Sequence, residues 1–285
     1  MDADLWKMIA LGIIEGLTEF LPISSTGHLL LWNSLVGPPV SREFGSNSVV
    51  FIQIGAIAAV VVYFRRRLAQ LLLDQPDEHG KRLLPRQRRN LLTLILLACL
   101  PLVIAFIAEK LSEDYLSGPL VIGVVLAVGG VAMLLIENFK PKPTTDLMEQ
   151  MTIKQALIIG FAQVLAAVFP GTSRSGATIM AGLLCGVSRV AAAEFSFFLA
   201  IPAMSGACLY KLIKMLSQGG ISGLREVLLL AIGTMVSFLV AWLVIAVLMQ
   251  FIRKYSFKPF GWYRIGFGLL VIAAAMAGIL NDEFA

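Results

Sequence analysis

The chain has 285 residues, of which 58% are hydrophobic and only 14% are charged, and its formal net charge is +5. A soluble domain carries about 25% charged residues, so this composition excludes an ordinary soluble protein and indicates that lipid surrounds most of the chain. The positive charge does not indicate a nucleic-acid partner, because the basic residues cluster between apolar runs, as topology signals and lipid-headgroup contacts do. We predict one membrane domain over residues 1–285.

The apolar runs predict an all-α polytopic membrane protein with six membrane-spanning helices. A spanning helix needs roughly 20 apolar residues, and six runs approach that length when flanking residues are included. In chain order the six runs are Val49–Phe64, Leu91–Ala108, Pro119–Ile136, Phe195–Tyr210, Val227–Ile252 and Ile265–Leu280.

Two further apolar regions are each interrupted by a polar turn. Residues 5–36 are broken by Pro22–Gly27, and residues 153–187 are broken by Pro170–Gly176. Each half of the first region has about 15 residues, which is too short to cross a hydrocarbon core of about 30 Å. Irregular backbone at membrane depth is tolerated only where it is buried in protein or lines a wet cavity. We therefore predict two re-entrant helix pairs whose tips meet inside the bundle.

Charged residues between the runs predict the orientation of the chain. Eight basic residues lie between Arg65 and Arg89, and two more basic loops follow at 140–142 and 253–258. Acidic residues occur on the opposite side, in the loop 109–114 and in the tail 282–283. The positive-inside rule places the basic loops in the cytoplasm and both termini outside.

The two interrupted regions belong to an internal repeat with halves of about 1–140 and 150–285. Gly12-Ile-Ile-Glu15 aligns with Gly160-Phe-Ala-Gln163, and Ser24-Ser-Thr-Gly27 aligns with Ser173-Arg-Ser-Gly176. Each half then continues with three spans, so the second half enters the membrane upside down. This predicts an inverted-topology repeat, an arrangement common in transporters, with the site near the interface between the halves.

The first polar segment carries acids, hydroxyls and a histidine. Ionisable residues inside membrane segments are costly and are functional by default. Glu15 and Glu19 are spaced i, i+4 and share one helix face. Two like charges there predict a site for a hard divalent cation, Mg²⁺ or Ca²⁺, or a pair that orients a base. The plainer alternative is a pair of protonated carboxyls.

Hydroxyl groups and an imidazole follow directly. The segment contains Ser24, Ser25, Thr26, Gly27 and His28. A hydroxyl beside a histidine provides the parts for nucleophilic displacement, with the imidazole either as the base or as the nucleophile. The turn also offers backbone N–H groups at a helix start, which suit anions. A satisfied core histidine is the plainer alternative.

The second polar segment places one arginine among hydroxyls and glycines. Its members are Ser173, Arg174, Ser175, Gly176 and Thr178. The planar guanidinium of arginine fits a phosphate bidentately. A structural ion pair between Arg174 and a glutamate is the alternative, and Arg174 is able to do both. Gln53 either hydrogen-bonds near the same pocket or makes a simple interhelical bond.

Together these groups predict phosphoryl transfer to water, or at least phosphate binding, inside the membrane. A substrate at that depth should be a lipid phosphate. The alternatives are a transporter or flippase of a polyprenyl phosphate, suggested by the repeat, and a structural membrane protein. The unequal halves argue against a pure carrier, since one carries Glu15, Glu19 and His28 where the other has uncharged residues.

The two segments resemble the signature motifs of a known family. Glu15-Gly-Leu-Thr-Glu-Phe-Leu-Pro-Ile-Ser-Ser-Thr-Gly-His28 and Pro170-Gly-Thr-Ser-Arg-Ser-Gly-Ala-Thr178 are similar to those of the bacterial undecaprenyl-diphosphate phosphatases of the bacitracin-resistance type. Gly186-Val-Ser-Arg189 and Glu194-Phe-Ser-Phe197 also resemble that family. The resemblance covers essentially the whole chain.

The resemblance implies hydrolysis of undecaprenyl diphosphate to the monophosphate and inorganic phosphate, which recycles the lipid carrier for peptidoglycan synthesis. It also implies a divalent cation, a homodimer, and a multi-pass protein of the bacterial inner membrane with its site open to the periplasmic face. Our mechanistic hypothesis is that Ser25 attacks the terminal phosphorus while His28 takes its proton. Glu19 orients His28 or helps Glu15 hold the metal, and Arg174 carries the developing charge. In the competing version His28 is the nucleophile.

Overall fold

The computed structural model describes residues 3–40, 42–76, 80, 82–104, 116, 118–217 and 223–280. Within these ranges the chain is helical and contains no β-strand, which confirms the all-α prediction. The helices of the first part are α1 Ala3–Thr18, α2 Ser25–Val36, α3 Arg42–Tyr63, α4 Arg65–Leu73, α5 Pro85–Cys99 and α6 Pro119–Phe139. A 3₁₀ turn at Met148–Gln150 then precedes α7 Ile153–Val168, α8 Arg174–Leu184, α9 Arg189–Ser217, α10 Leu224–Lys254 and α11 Lys258–Met276.

Several helices have the length and composition of membrane spans, so the chain is a multi-pass membrane protein. In the described part of the chain there are five such helices: Gln87–Ile104, Pro119–Phe139, Arg189–Tyr210, Leu224–Lys254 and Lys258–Met276. The sixth predicted span lies in α3, which has 22 residues but a shorter apolar part, Phe51–Tyr63. The predicted acidic loop 109–114 and acidic tail 282–283 lie outside the described residues.

Proline ends the first helix of each interrupted region. A proline clashes with the carbonyl four residues earlier, so an α-helix cannot continue through Pro22, and α1 ends at Thr18. Pro170 instead disfavours helical backbone at the residue before it: Phe169 is extended (φ −117°, ψ 92°), and α7 ends at Val168. The next helices, α2 and α8, begin seven and six residues after those ends, and irregular backbone fills both gaps.

A serine with an unusual backbone angle precedes each of these next helices. Ser24 has φ 72° and ψ 105°, and Ser173 has φ 68° and ψ 112°. Residues other than glycine rarely adopt positive φ, and each such residue costs about 1–3 kcal/mol. The surrounding contacts must therefore stabilise both turns, and strain of this kind clusters at functional sites.

Close helix packing fixes where α1 carries its acids. Helix α1 packs against α3 and α10. A Cβ atom added at Gly12 would lie 2.6 Å from the Gly233 carbonyl oxygen, and one at Gly16 would lie 2.8 Å from that of Ser237. The backbones of α1 and α10 are thus in direct contact, with no room for side chains. Glu15 and Glu19 project from a helix that cannot shift without losing this contact.

An aromatic core lies next to the polar segments. Phe20 follows the acids and is fully buried, with its ring 5.4 Å from that of Phe197 in an edge-on arrangement. At one end of the bundle the buried Glu137 accepts hydrogen bonds from Arg189 at 2.8 and 3.0 Å and from the Phe257 amide at 2.8 Å. This carboxylate joins the end of α6 to the starts of α9 and α11, so the helices around the site are tied together away from it.

Candidate active site

The Glu19 carboxylate connects the two polar segments. One oxygen, Oε2, accepts a hydrogen bond from the Ser25 hydroxyl at 2.8 Å. The other, Oε1, lies 3.3 Å from Nη2 of Arg174 in a largely buried ion pair. Glu19 follows the end of α1, Ser25 begins α2 and Arg174 begins α8. The structure therefore brings together three of the predicted catalytic residues from elements far apart in the sequence.

Glu15 lies one helical turn before Glu19 and is almost completely buried. Neither of its side-chain oxygens has a hydrogen-bond donor among the described residues. Its neighbour is the Glu19 carboxylate, which is itself an acceptor when ionised. A buried carboxylate without a donor is costly, so this position calls for a proton or a cation.

Arg174 has hydrogen-bonding capacity to spare. Its Nη1 donates to the Ser196 carbonyl at 3.3 Å, and Nη2 pairs with Glu19. Its Nε–H is buried and has no partner in the described part of the chain. The alternative of a structural ion pair with a glutamate is therefore observed, and one buried N–H of the guanidinium remains without a partner among the described residues.

Two serine hydroxyls organise the start of α8. Ser173 Oγ accepts from the Gly176 amide at 3.2 Å and so caps the helix. The fully buried Ser175 hydroxyl donates to the Leu21 carbonyl at 3.1 Å, which belongs to the first segment. Both serines therefore position the backbone, and Ser175 links the two polar segments directly.

Thr178 is also fully buried and hydrogen-bonded within the protein. Its hydroxyl donates to the Arg174 carbonyl at 2.9 Å and lies 2.6 Å from the Ser196 hydroxyl. Thr178 was predicted to line the substrate site. Its contacts with Arg174 and Ser196 support the first turn of α8, and its place in the substrate site stays a prediction.

The remaining predicted lining residues have different surroundings. Thr26 is exposed, whereas Ser24 is buried. Gly27 faces α6, where a Cβ atom would lie 2.8 Å from Leu126 Cδ1, so this glycine allows close packing. Gln53 Oε1 accepts from Cys208 Sγ at 3.5 Å, which links α3 to α9. Among the described residues no hydrogen bond joins Gln53 to the cluster, so the interhelical alternative fits this position.

His28 makes contacts that the sequence did not predict. Its Nδ1 lies 2.7 Å from the Ser24 carbonyl, and its Nε2 lies 2.7 Å from the Tyr263 hydroxyl. The ring stacks on Phe267 of α11, with centroids 4.1 Å apart. The Ser25 hydroxyl is directed to Glu19 rather than to His28. This arrangement differs from our hypothesis that His28 takes the proton of Ser25 and that Glu19 orients His28.

The cluster is chemically suited to an anionic, phosphorylated substrate. It combines a hydroxyl held by a carboxylate, a guanidinium with an unused donor, and a carboxylate that lacks a donor. The comparison with protein families decides its affiliation: residues 8–270 match the family model described as bacitracin resistance protein BacA.

This chain belongs to the BacA family.

Curated relatives of this BacA-family chain carry the name undecaprenyl-diphosphatase. The protein of this name (numbered 1) from Stutzerimonas stutzeri (strain A1501) is 41% identical over 284 residues, which cover 98% of each chain. The protein from Enterococcus faecalis (strain ATCC 700802 / V583) is 42% identical over 278 residues, 95% of this chain and 97% of its own. That from Lactiplantibacillus plantarum is 44% identical over 273 residues, 94% of this chain and 97% of its own.

In this BacA-family chain a second arginine, Arg264 of α11, is hydrogen-bonded to the backbone of both breaks, the irregular segments between α1 and α2 and between α7 and α8. It is buried, with 1% of its surface exposed. Its guanidinium donates to the carbonyls of Thr172 at 2.7 Å and Gly171 at 3.1 Å, and more distantly to that of Pro22 at 3.4 Å. Arg264 thus bridges the backbones of the two polar segments.

Sequence reasoning missed Arg264 and Tyr263 because it misplaced a helix start. The last span was predicted to begin at Ile265, but α11 begins at Lys258. Arg264 therefore lies within a membrane-type helix, where an ionisable residue is a functional candidate by default. A longer window at this span would have found Arg264. No sequence signal indicates the contact between Tyr263 and His28, since 235 residues separate them.

Proposed function

We propose that this chain hydrolyses undecaprenyl diphosphate to undecaprenyl phosphate and inorganic phosphate. The observation that carries the proposal is the Glu19 carboxylate, which holds the Ser25 hydroxyl on one oxygen and Arg174 on the other. The substrate is suggested by the names of relatives that align over nearly the whole chain. The activity would recycle the lipid carrier for peptidoglycan synthesis and confer bacitracin resistance.

The contacts of Ser25 support a two-step mechanism that begins with a phosphoserine. Ser25 Oγ attacks the terminal phosphorus as Glu19 Oε2 takes its proton. The bond to the bridging oxygen breaks, and its electron pair leaves with undecaprenyl phosphate. The Arg174 side chain, which is 15% exposed, would stabilise the charge that develops on the phosphoryl oxygens. Water then attacks the phosphoserine, phosphate departs, and Ser25 recovers its proton from Glu19.

Phosphate release by the purified protein tests this function directly. A farnesyl or undecaprenyl diphosphate is mixed with protein in detergent, and inorganic phosphate is measured. Release of one phosphate per lipid supports hydrolysis, whereas a folded wild type without turnover favours the polyprenyl phosphate transporter. Acid quenching followed by peptide mapping should find the phosphoryl group on Ser25. Its recovery on His28 would reverse our assignment of the nucleophile.

A divalent cation, Mg²⁺ or Ca²⁺, fits the two acids of α1. The Glu15 oxygens are buried without a donor, and hard carboxylate oxygens are the ligands that these cations prefer. Among the described residues no cluster of three or more His, Cys, Asp or Glu forms a complete site. We therefore propose that Glu15 and Glu19 would hold the cation beside the diphosphate. When bound, the cation would neutralise charge on the diphosphate.

Chelation of the cation and substitution of its proposed ligand Glu15 should both lower phosphate release. EDTA is expected to stop phosphate release, and added Mg²⁺ or Ca²⁺ to restore it. Glu15→Gln keeps the size of the side chain but halves its oxygen ligands, and we expect a fall in activity of about 10²-fold that excess metal partly rescues. A metal titration of phosphate release measures both. Asp146→Asn, which changes an exposed carboxylate elsewhere, should titrate like wild type; identical titrations for Glu15→Gln would refute the ligand assignment.

We further propose the six-span arrangement with two re-entrant pairs and an inverted repeat. The matched backbone angles of Ser24 and Ser173 support it. Two glycines also support it. Gly12 packs against α10, and at its counterpart Gly160 a Cβ atom would lie 2.5 Å from the Ala98 carbonyl of α5. These glycines are aligned in the two halves, and α5 and α10 occupy equivalent places in them.

A short sequence match extends the repeat beyond its polar turns. Val40-Ser-Arg42 matches Val187-Ser-Arg189 in sequence, and the arginines of the two tripeptides begin α3 and α9. The proposed orientation has both termini outside and the site open to the periplasmic face of the inner membrane. Single cysteines introduced in the basic loops and at the termini, labelled by an impermeant maleimide in whole cells, would test it. Crosslinking in membranes would test the homodimer, which rests on the family resemblance.

A further inference from the structure

Both nitrogens of the His28 ring are already engaged. The Ser24 carbonyl has no hydrogen to give, so Nδ1 must carry the proton in the 2.7 Å contact between them. In a neutral ring Nε2 is then the acceptor. It receives the Tyr263 hydroxyl at 2.7 Å. The single lone pair of Nε2 is therefore occupied by Tyr263.

This arrangement limits how His28 can act as a base. A water molecule or hydroxyl cannot hand a proton to Nε2 while the Tyr263 hydrogen points at it. The ring is also held on one face by Phe267, with an interplanar angle of 12°. Tyr263, in contrast, is 46% exposed, and its oxygen still has lone pairs to accept a hydrogen bond. The reachable basic atom of the pair is thus the Tyr263 oxygen.

The first chemical step has no need of His28. The proton of Ser25 already has an acceptor, because its hydroxyl donates to Glu19 at 2.8 Å. Hydrolysis of the phosphoserine needs a second base, one that removes a proton from water. His28 follows Ser25 by three residues in α2, so the two side chains lie on neighbouring positions of one helix face.

We propose that Tyr263 relays a proton from the attacking water to His28. The inference rests on the proposed phosphatase function and divides its two steps between two bases. As the water oxygen bonds to phosphorus, one water proton moves to the Tyr263 oxygen and the Tyr263 proton moves to His28 Nε2. The bond between phosphorus and Ser25 Oγ breaks, and Oγ takes back the proton held by Glu19. The imidazolium then returns its proton through Tyr263 to the departing phosphate or to solvent.

Tyr263→Phe removes the hydroxyl and keeps the ring. We expect steady-state phosphate release to fall about 10²-fold, the usual contribution of a proton-transfer group, with little change in KM. Formation of the phosphoserine should continue. Rapid mixing should then show a burst of undecaprenyl phosphate, close to one per site, followed by slow release of inorganic phosphate. Tyr255→Phe, which alters an exposed tyrosine after α10, should behave as wild type.

Phosphate release by wild type tests the proposed function, and its change in Tyr263→Phe tests the relay. If wild type releases no phosphate, the proposed function fails. If wild type turns over and Tyr263→Phe keeps its rate, or loses the burst and the steady state equally, the relay is wrong. A proton inventory of wild-type phosphoserine hydrolysis in H₂O and D₂O mixtures needs no variant. Two protons in flight give a curved plot, and a straight line would contradict the relay.

The ring contacts of His28 can be observed directly, because the chain has only two histidines. The other is His79, which lies outside the described residues. In a His79→Gln background, ¹⁵N-histidine labelling leaves the signals of His28 alone. We expect a protonated Nδ1 and an unprotonated, hydrogen-bonded Nε2, and Tyr263→Phe should shift the Nε2 resonance. An unchanged Nε2 signal, or a protonated Nε2 in wild type, would overturn the proposal.

Discussion

Replacing Arg174 with alanine is expected to lower phosphate release about 10³-fold, since one preorganised donor to a developing charge is commonly worth 10²–10³ in rate. Two losses combine in this variant. The phosphoryl oxygens lose the positive charge of the guanidinium, whose side chain is 15% exposed. Glu19 also loses its ion pair with the Arg174 guanidinium, which lies 3.3 Å from its Oε1. Glu19 is the group that takes the proton of Ser25 in the proposed mechanism.

Arg174→Lys distinguishes charge from geometry. Lysine restores a positive charge but not the planar fork, which here reaches Glu19, the Ser196 carbonyl and an anion at the same time. We expect it to recover only a small part of the lost rate. Arg65→Ala, which removes an exposed arginine of α4, should leave phosphate release unchanged. Wild-type kcat in folded Arg174→Ala would remove Arg174 from the site.

Replacing Arg264 with methionine should damage both stability and activity, although Arg264 is placed behind the reacting groups. Its guanidinium donates to the Thr172 and Gly171 carbonyls. Each buried carbonyl left without a donor costs about 1–3 kcal/mol, and relief from burying the charge offsets part of this. We expect a lower melting temperature in detergent. A misplacement of about 1 Å between the two breaks would lower kcat about 10²-fold.

Lys258→Met provides the control, because it also replaces a basic side chain with methionine, at an exposed position of the same helix. It should melt and turn over like wild type. Arg264→Lys should fall between methionine and wild type, since an ammonium reaches some of the same carbonyls. An Arg264→Met protein with both normal melting and normal kcat would show that Arg264 does not hold the breaks together.

The sequence was sufficient to predict that Glu19, Ser25 and Arg174 lie together. Membrane ionisable residues are few, so Glu19 and Arg174 were conspicuous against apolar runs, and Pro22 and Pro170 marked the breaks that carry them. The all-α fold followed from the same runs. An ion pair between Arg174 and a glutamate was one of the alternatives from the sequence, and the structure identifies that glutamate as Glu19.

The hydrogen-bond partners of the side chains could not be predicted from the sequence. Ser25 and His28 are close in the chain, which suggested that they act on each other, yet their hydrogen bonds lead to Glu19 and to Tyr263. Spacing along a helix fixes which residues share a face, but partners on other helices decide where a proton can move. Thr178 shows the same limit, since its motif does not reveal that its hydroxyl is hydrogen-bonded to the Arg174 carbonyl and to Ser196.

The ion pair between Glu19 and Arg174 has a consequence for biogenesis. Glu19 precedes Arg174 by 155 residues, so the acid is synthesised before the arginine. Until α8 has inserted and docked, Glu15, Glu19 and Ser25 lie without the positive charge of Arg174. The buried polar cluster is therefore completed only late in the assembly of the chain.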